Sequence, residues 1–446
     1  MNRRNFLRIG GSSLCGVSML DLLRARGQAS DAGRTTRPRA TQMICVWMAG
    51  GPPHTDMFDM KPDSPAEYRG EFRPIRTNVP GLDICELMPR LAQMADKYTV
   101  IRSVTTMNQP GDHSRAPMYW LTGNPRLPSG TPEYPMYGSA AAMLRRGPAE
   151  LPPFAVLGKI DHHIGNAIAT SFLGPAYHPF IFDPLESRDD LARMLTPQVE
   201  LPSFRRDVDL LRAIDGRLRR QDTLDPLVAG LDRYQQNALD MLRSPKLREA
   251  LDLSKEPRRV IERYTAGDLP QNRRRYPSGD TRHFLLSRRL IEAGVPIVHF
   301  SYGYWDWHGD NFIAGRQQIP TFDVAMSALL QDLDDRGLLD TTIVLALGEM
   351  GRKPQVGGTD AHAGRDHWDY AQFVLAAGGG FRRGAVVGAT DRRGEHVTDK
   401  FYKIESFGRT LYHLLGVDPD TTVTTLANRP MKLIVEETPI IREAIV

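Results

Sequence analysis

Histidine and carboxylate residues gather in four glycine-containing stretches of this 446-residue sequence. The stretches are GGPPHTDMFDM, GDHSRAP, WDWHGDNF and GEMGRKPQVGGTDAHAGRDHW, which begin at residues 50, 111, 305 and 348. Imidazole nitrogens and carboxylate oxygens are common ligands of zinc and manganese in proteins. The sequence therefore predicts metal chemistry, provided that the fold brings these stretches together.

Six side chains in these stretches are the candidate metal ligands. Asp306 and His308 are separated by one residue, so an extended backbone directs both side chains to the same side. Each of the other four follows a predicted strand, opens a predicted helix or follows a glycine-rich loop. The six candidates are Asp56, His113, Asp306, His308, Glu349 and His367. Seven other histidines are predicted to be structural, namely His162, His163, His178, His283, His299, His396 and His413.

Three further residues could take part in chemistry on an anionic ester. Ser114 lies beside His113 where a helix is expected to begin, and the free N–H groups of a helix N-terminus attract anions. Arg115 and Arg352 could hold the anion through charge-assisted hydrogen bonds. Ser114 could instead be only the cap of that helix. Attack by Ser114 and attack by a water activated by a metal both stay open, with His113 as a ligand or a base.

Apolar runs and helical patterns alternate along most of the chain. Strands are predicted at 43–48, 99–104, 296–302, 342–347 and 373–377, and helices at 85–98, 281–294 and 319–337. This alternation predicts an α/β fold with a layered parallel sheet. Ligands of such sheets bind in a crevice at the carboxyl ends of the strands. The candidate residues would meet there, and they are enough for two metal ions about 3.5–4 Å apart, as used in phosphoryl or sulfuryl transfer.

The chain divides into a leader, a spacer and one large domain. RRNFLRIGG, a weakly apolar stretch and the small residues Gly27 and Ala29 predict a twin-arginine signal peptide over 1–29. Residues 30–40 are a polar spacer, and 41–446 form the α/β domain. Within it, about 186–268 carries charged helical patterns without a strand, which predicts a helical insertion. These helices either form a cap or cover one face of the sheet.

Composition and charge exclude several classes of function. Residues 1–29 carry five arginines and one aspartate, a balance of +5 − 1 = +4, and the whole chain is also +4, so the exported chain is about neutral. Nucleic acid is therefore not an expected partner. No apolar run approaches the roughly 18 residues of a membrane span, so no transmembrane anchor is expected. The chain is predicted to be periplasmic or secreted through the twin-arginine export machinery.

Two cysteines, Cys45 and Cys85, would remain after removal of the leader. Export would permit them to form a disulfide. Cys45 lies inside the apolar run MICVWM, however, and this favours a buried free thiol. Without a CxxC motif, a metal would have to be bound by histidines and carboxylates.

Several stretches together resemble the domain-of-unknown-function 1501 family. In chain order they are RRNFLRIGG, GGPPHTDMFDMKP, FLGPAYHPF, RRLIEAGVPIV, WDWHGDNF, GEMGR, GRDHW, LLGVDPD and NRPMKLI. That family comprises bacterial proteins with twin-arginine signals and is similar to the alkaline phosphatase and sulfatase superfamily. The resemblance implies an alkaline-phosphatase-like three-layer sandwich with a mainly parallel central sheet.

The resemblance also implies roles for individual residues. Asp56 is the nearest match to the aspartate with which the superfamily's first strand reaches one metal. Asp306 and His308 look like the aspartate and histidine that bind the other metal. Glu349 stands in the position of a further aspartate ligand, and His367 resembles the superfamily's late histidine.

Two positions depart from the superfamily pattern. His113 stands where the phosphatases have their nucleophilic serine, and Met350 stands where a histidine ligand is expected. The sequence thus predicts an exported hydrolase of phosphate or sulfate esters, including those of carbohydrates, that uses one or two divalent ions, zinc or manganese. The alternative is a cell-envelope binding protein that keeps the fold and has lost turnover.

Overall fold

A computed structural model describes twelve parts of the chain. They are residues 38–106, 111–125, 134–144, 148, 150–166, 168, 171–185, 241, 244–268, 279–358, 362–425 and 429–446. The predicted signal over 1–29 lies outside these residues, as do most of the spacer and most of the insertion over 186–268. Those assignments stay predictions.

Eight strands form the central sheet of the described chain. They are β1 (Gln42–Trp47), β2 (Tyr98–Ile101), β3 (Phe154–Leu157), β4 (Phe180–Phe182), β5 (Ile297–Ser301), β6 (Thr342–Leu347), β7 (Val374–Ala377) and β8 (Ala385–Val387). Their order across the sheet is β8-β2-β7-β6-β1-β5-β3-β4. All neighbours pair in parallel except that β7 is antiparallel to β2 and β6. The predicted α/β fold with a mainly parallel sheet is confirmed.

The central strands are buried on both faces. Along β1, Ile44 and Val46 point into one apolar cluster, whereas Met43, Cys45 and Trp47 point into the other. This alternation follows from the two-residue period of a strand, and burial of both faces explains why the run is almost continuously apolar. The sheet is therefore the middle layer of a sandwich.

Helices cover the two faces of the sheet. They are α1 (Ala66–Arg69), α2 (Pro89–Ala92), α3 (Ala116–Thr122), α4 (Tyr137–Leu144), α5 (Pro245–Leu251), α6 (Arg258–Thr265), α7 (Arg282–Ala293), α8 (Asn311–Asp335) and α9 (Ile404–Leu414). Residues of α5 to α8 pack in the cluster that contains Ile44, and residues of α3, α4 and α9 pack in the cluster that contains Trp47. None of the helices that the structure describes is long and apolar enough to cross a membrane.

The predicted elements differ from the observed ones mainly in their bounds. The strand predicted at 99–104 is divided, because β2 ends at Ile101 and Val104–Thr105 pairs separately with Tyr402–Lys403. The helix predicted at 85–98 contains only the short α2, whereas α8 begins eight residues before its predicted start at 319. The short strands β3, β4 and β8 were not predicted.

Both cysteines of the described chain are buried free thiols. Burial raises the pKa of Cys45 to about 12, and burial likewise raises that of Cys85 to about 12. A disulfide between them is absent from the described residues. The expectation of a buried free thiol at Cys45 is confirmed.

Candidate metal centre

Loops at one edge of the central sheet bring the candidate ligands together. Asp306 and His308 follow β5, and Glu349 follows β6. His367 precedes β7, and because β7 is antiparallel its start lies at the edge where its neighbour β6 ends. His113 comes from the loop before α3. This is the edge at which α/β sheets usually carry their ligands.

The Nε2 atoms of three histidines converge on one oxygen of Asp306. Asp306 Oδ1 lies 3.3 Å from Nε2 of His113, 3.0 Å from Nε2 of His308 and 3.4 Å from Nε2 of His367. The Nε2 atoms of His308 and His367 are themselves 3.0 Å apart. Zinc–nitrogen bonds of 2.0–2.1 Å in a tetrahedral site separate neighbouring ligand atoms by roughly 3.3 Å. The four atoms therefore have the spacing of a metal's ligand shell.

The opposite nitrogen of each of these rings faces a hydrogen-bond acceptor. The pairs are His113 Nδ1 with Glu349 Oε1 at 2.7 Å, His308 Nδ1 with Asp366 Oδ1 at 3.0 Å, and His367 Nδ1 with the Gly111 carbonyl at 2.6 Å. Carbonyl and carboxylate oxygens only accept, so Nδ1 carries the proton and a neutral ring keeps its lone pair on Nε2. Histidines that bind metals have this arrangement.

Glu349 is buried directly behind His113. Its carboxylate accepts the Gly50 N–H, at 2.8 Å to Oε1 and 3.0 Å to Oε2. Gly50 has a φ of 103°, and a side chain there would collide with the backbone of Asp306. The stretch GGPPHTDMFDM, which begins at Gly50, thus contacts the centre through the backbone N–H of that glycine.

Arg352 fixes Asp306 rather than facing a substrate. Its guanidinium group is fully buried and donates to the carbonyls of Gly50, Gly51 at 3.1 Å and Arg365 at 3.0 Å, and to Asp306 Oδ1. These internal acceptors use the donors of Arg352, which the sequence predicted to bind an anionic substrate. The predicted catalytic role of Arg352 is therefore replaced by a role in orienting Asp306.

His163 also belongs to the centre, although the sequence analysis predicted it to be a structural histidine. Its ring stacks on that of His113, with centroids 3.7 Å apart and planes 6° apart. Both ring nitrogens are buried without a hydrogen bond in the described structure, each 3.9 Å from a carboxylate oxygen, Nδ1 from Glu349 Oε1 and Nε2 from Asp306 Oδ2. The missed signal was the run FAVLG, a buried strand that ends at a glycine five residues before His163.

The surrounding charges set the protonation of the centre. Burial acts to raise the pKa of Asp306, but the nearby imidazole groups of His113, His163 and His367, together with the charge of Arg352, hold it far below its usual value. Burial acts to lower the pKa of His113, but the carboxylates of Asp306 and Glu349 raise it to about 9. Asp306 is thus an anion at neutral pH, and a proton on His113 balances part of the negative charge.

Two overlapping groups of side chains have the composition and spacing to hold a cation. One consists of His113, Asp306, His308 and His367, and the other of His113, His163 and Glu349; within each, the ligand atoms lie within 4.8 Å of one another. The orphaned nitrogens of His113 and His163 fit a cation, since buried polar atoms normally have partners. Imidazole with carboxylate suits zinc and related divalent ions. The structure thus brings together five of the six predicted ligands.

Asp56 is the predicted ligand that lies elsewhere. Its carboxylate accepts two hydrogen bonds of 2.8 Å from Arg365 and one of 2.8 Å from Asn311 Nδ2. Both Asp56 and Arg365 are fully buried, and Asp56 belongs to neither cation-binding group of the described residues. A guanidinium group therefore takes the place that the sequence assigned to a metal.

Ser114 and Arg115 belong to the turn before α3. Asp112 Oδ1 accepts the Ser114 hydroxyl and the N–H groups of Ser114 at 2.8 Å and Arg115 at 2.9 Å. The Arg115 side chain is 62% exposed and lies 3.8 Å from Asp112. Within the described chain, no hydrogen bond or ion pair joins either side chain to the two cation-binding groups. Their predicted catalytic roles have no support from this placement.

The family follows from a comparison of the whole sequence. A sequence profile described as "Protein of unknown function (DUF1501)" matches residues 40–445. The chain belongs to the DUF1501 family. The family predicted from the sequence is therefore confirmed for this DUF1501 protein. A comparison with curated protein sequences gave no match.

Solved structures similar to this DUF1501 protein include three bacterial proteins. The lipoteichoic acid synthase LtaP from Listeria monocytogenes has a TM-score of 0.36 and 9% identity, over 88% of this chain and 78% of the other. The PsFucS1 sulfatase from Pseudoalteromonas sp. has a TM-score of 0.32 and 13% identity, over 89% of this chain and 70% of the other. An alkaline phosphatase superfamily protein from Vibrio parahaemolyticus has a TM-score of 0.35 and 11% identity, over 90% of this chain and 74% of the other. Similarity of this extent does not carry over to activity or site residues.

Proposed function

We propose that this DUF1501 protein is an exported, metal-dependent hydrolase of phosphate or sulfate esters. The observation that carries the proposal is the convergence of three histidine Nε2 atoms on Asp306 Oδ1, each ring held from behind by an acceptor. The choice of ester rests on the resemblance of the sequence stretches to the phosphatase and sulfatase superfamily. Zinc or manganese fits the donor set.

The residues of the chain prepare the centre for a cation. Arg352 holds Asp306 in one orientation and keeps it ionised, and Glu349 holds the His113 ring from its Nδ1 side, so that Nε2 faces Asp306. When bound, a divalent cation would polarise an ester oxygen and lower the pKa of a water. His113, His308 and His367 would hold it through Nε2, because their Nδ1 atoms are engaged elsewhere.

The centre is open to solvent on the side of His308. The His308 side chain is 48% exposed and that of His367 is 27% exposed, whereas Glu349 is fully buried. An ester would enter from the His308 side, and the buried side would keep the ligands in place. This arrangement of a fixed inner wall and an exposed outer wall suits catalysis better than a closed structural site.

Solvent water is the attacking group in this proposal. The Ser114 hydroxyl donates to Asp112 in an exposed turn, so the serine that follows His113 is engaged outside the centre. His163, with two buried nitrogens that lack hydrogen bonds, is the side chain of the centre best placed to contact a water or the ester.

A panel of phosphate and sulfate monoesters and diesters tests the proposal. Wild-type protein would be assayed after removal of metal and after addition of zinc or manganese, beside His308→Ala and the control His413→Ala. His413 is a partly buried histidine on α9, outside both cation-binding groups. We expect metal-dependent turnover in the wild type and in His413→Ala, and its loss in His308→Ala. Equal turnover in all three proteins, or turnover that metal does not affect, would exclude the proposed centre.

A cell-envelope protein that binds a metal without turnover is the second candidate. One specific observation favours it: the Ser114 hydroxyl and the Arg352 guanidinium group are engaged in internal hydrogen bonds, so neither is free to act on an ester. Stoichiometric metal in a protein that is inactive on the whole panel would favour this candidate over the hydrolase.

A further inference from the structure

We propose that the buried Asp56–Arg365 pair is the positioning element of the metal centre. The pair would hold two of the chain segments that carry ligands, 305–311 and 363–368, in register with each other. This inference rests on the proposed function insofar as it concerns the same metal. It assigns to Asp56 a role other than metal binding.

The guanidinium group of Arg365 uses all of its donors inside the protein. Nε and one terminal nitrogen donate to the two carboxylate oxygens of Asp56, each at 2.8 Å. The remaining donors reach the carbonyls of Tyr68 at 3.2 Å, Lys353 at 3.2 Å and Pro354. The five N–H groups of an arginine thus have five acceptors on three separate parts of the chain. A lysine could not reproduce this set, because its three donors leave from a single atom.

The backbone of Arg365 touches both halves of the metal centre. Its N–H donates to the carbonyl of Trp307 at 3.0 Å, and Trp307 lies between Asp306 and His308. Its carbonyl accepts a hydrogen bond of 3.0 Å from Arg352, which also donates to Asp306. A shift of Arg365 would therefore move Trp307, which adjoins Asp306 in the chain, and Arg352, whose guanidinium group orients Asp306.

The neighbours of Arg365 supply two further groups of the centre. Asp366 follows it directly and accepts from His308 Nδ1, and His367 is the next residue. Gly364 precedes it and packs so closely against the backbone of His308 that a side chain would not fit. The position of Arg365 thus sets where His308 and His367 meet.

Asn311 connects the pair to the other ligand-bearing segment. It is fully buried at the first turn of α8, three residues after His308, and its Nδ2 donates to Asp56 Oδ2 at 2.8 Å. Asp56 therefore holds one segment through Asn311 and the other through Arg365. Because the pair is electrically neutral and fully hydrogen-bonded, Asp56 needs no metal to balance its charge.

The Arg288 cluster offers a matched control. Arg288 is also buried, and it pairs with Glu256 at 2.8 Å, Glu292 at 2.6 Å and Asp332 at 2.9 Å. Asp332 lies 21 residues along α8 from Asn311, which is roughly 30 Å at 1.5 Å per residue. Arg288→Lys therefore disturbs another buried arginine that pairs with carboxylates, far from the metal centre.

The test measures zinc affinity by competition with a chromophoric chelator, and the visible spectrum of bound cobalt, in the full-length exported protein. We expect Arg365→Lys to bind zinc about 10- to 100-fold more weakly than wild type and to show an altered cobalt spectrum. We expect Arg288→Lys to lower the melting temperature but to keep the wild-type affinity and spectrum. If Arg365→Lys does not fold, Asn311→Ala, which removes a single donor to Asp56, should show a smaller loss in the same direction.

The outcomes separate this inference from the proposed function. The positioning role would be overturned if Arg365→Lys kept the zinc affinity and the cobalt spectrum of the wild type. Where only Asn311→Ala folds, the same result in that variant would overturn it. The proposed metal centre would be unaffected by either result. An equal loss of affinity in Arg288→Lys would also overturn it, since general destabilisation would then suffice. Absence of zinc binding by the wild type would remove the proposed function, and the inference with it.

Discussion

The Nε2 atoms of His308 and His367 lie 3.0 Å apart, while the Nδ1 atoms of both rings face acceptors on the far side. Two neutral rings held in this way point lone pairs at each other, which is unfavourable unless a cation lies between them or one ring takes a second proton. Asp306 Oδ1 is within 3.4 Å of both nitrogens. The relationship of the two rings therefore indicates a cation site more directly than their burial does.

Glu349, the acceptor behind His113, should control metal affinity. Glu349→Gln keeps an oxygen for the Gly50 N–H but removes the negative charge from His113 Nδ1. We expect this change to weaken zinc binding by about 10- to 100-fold, the usual effect of losing such a partner. Competition with a chelator measures it, and an unchanged affinity would mean that Glu349 has no part in presenting His113.

The free energy of unfolding of the metal-free protein should depend on pH through His113. Its pKa is about 9 in the folded protein and 6.5 ordinarily. A raised folded pKa contributes stability that is fully present below 6.5 and is lost as the pH rises to about 9. We expect the stability difference between wild type and His113→Gln to fall by up to about 3 kcal/mol over this interval. Urea unfolding in chelator at both ends of the interval measures it, and a difference that is independent of pH would contradict the assignment.

The pH dependence of zinc affinity should also report the protonation of His113. A proton on His113 must leave before its Nε2 can bind a metal, so we expect zinc affinity to rise between pH 6.5 and 9. In His113→Gln this rise should be absent or much smaller.

Ser114 should be dispensable for turnover. Its hydroxyl donates to Asp112 in an exposed turn, so Ser114→Ala should alter stability by no more than about 0.5 kcal/mol and leave kcat/KM close to wild type. His113→Ala is the contrasting variant and should lose both metal and most of the activity. A covalent ester trapped on Ser114 would show that this serine is the nucleophile after all.

Much of the centre could be predicted because burial and strand ends leave clear patterns in sequence. β6 was predicted at its observed residues, since all six of its positions are buried and a glycine follows. Glu349 then comes directly after that glycine. Asp306 and His308 could be paired because they are separated by one residue, and in the structure Nε2 of His308 lies 3.0 Å from Oδ1 of Asp306.

Other parts of the centre depend on contacts that no local pattern contains. Asp56 follows a strand as a metal ligand would, but its partner is Arg365, 309 positions away in the chain. A carboxylate paired with a guanidinium group and one that binds a metal look alike in sequence. His163 was missed because β3 has only four residues, too few for a periodic pattern to stand out. The antiparallel direction of β7, which places His367 at the correct edge, also has no signature of its own.

Export remains a proposal that the first residues of the sequence support. Replacing Arg3 and Arg4 together with lysine should leave the precursor in the cytoplasm, because the twin-arginine machinery reads this pair. Fractionation of cells that produce the two forms measures this. Equal delivery of the double variant to the periplasm would exclude the twin-arginine route.

Anomalous diffraction from crystals of the purified protein, recorded at the absorption edge of its metal, would show directly whether the centre binds a metal. We expect a peak about 2.0–2.2 Å from Nε2 of His113, His308 and His367 and from a carboxylate oxygen of Asp306. We also expect this peak to be absent from His308→Ala crystals or much weaker in them. Ordered side chains at these four positions without a peak, in protein supplied with zinc and with manganese, would contradict it.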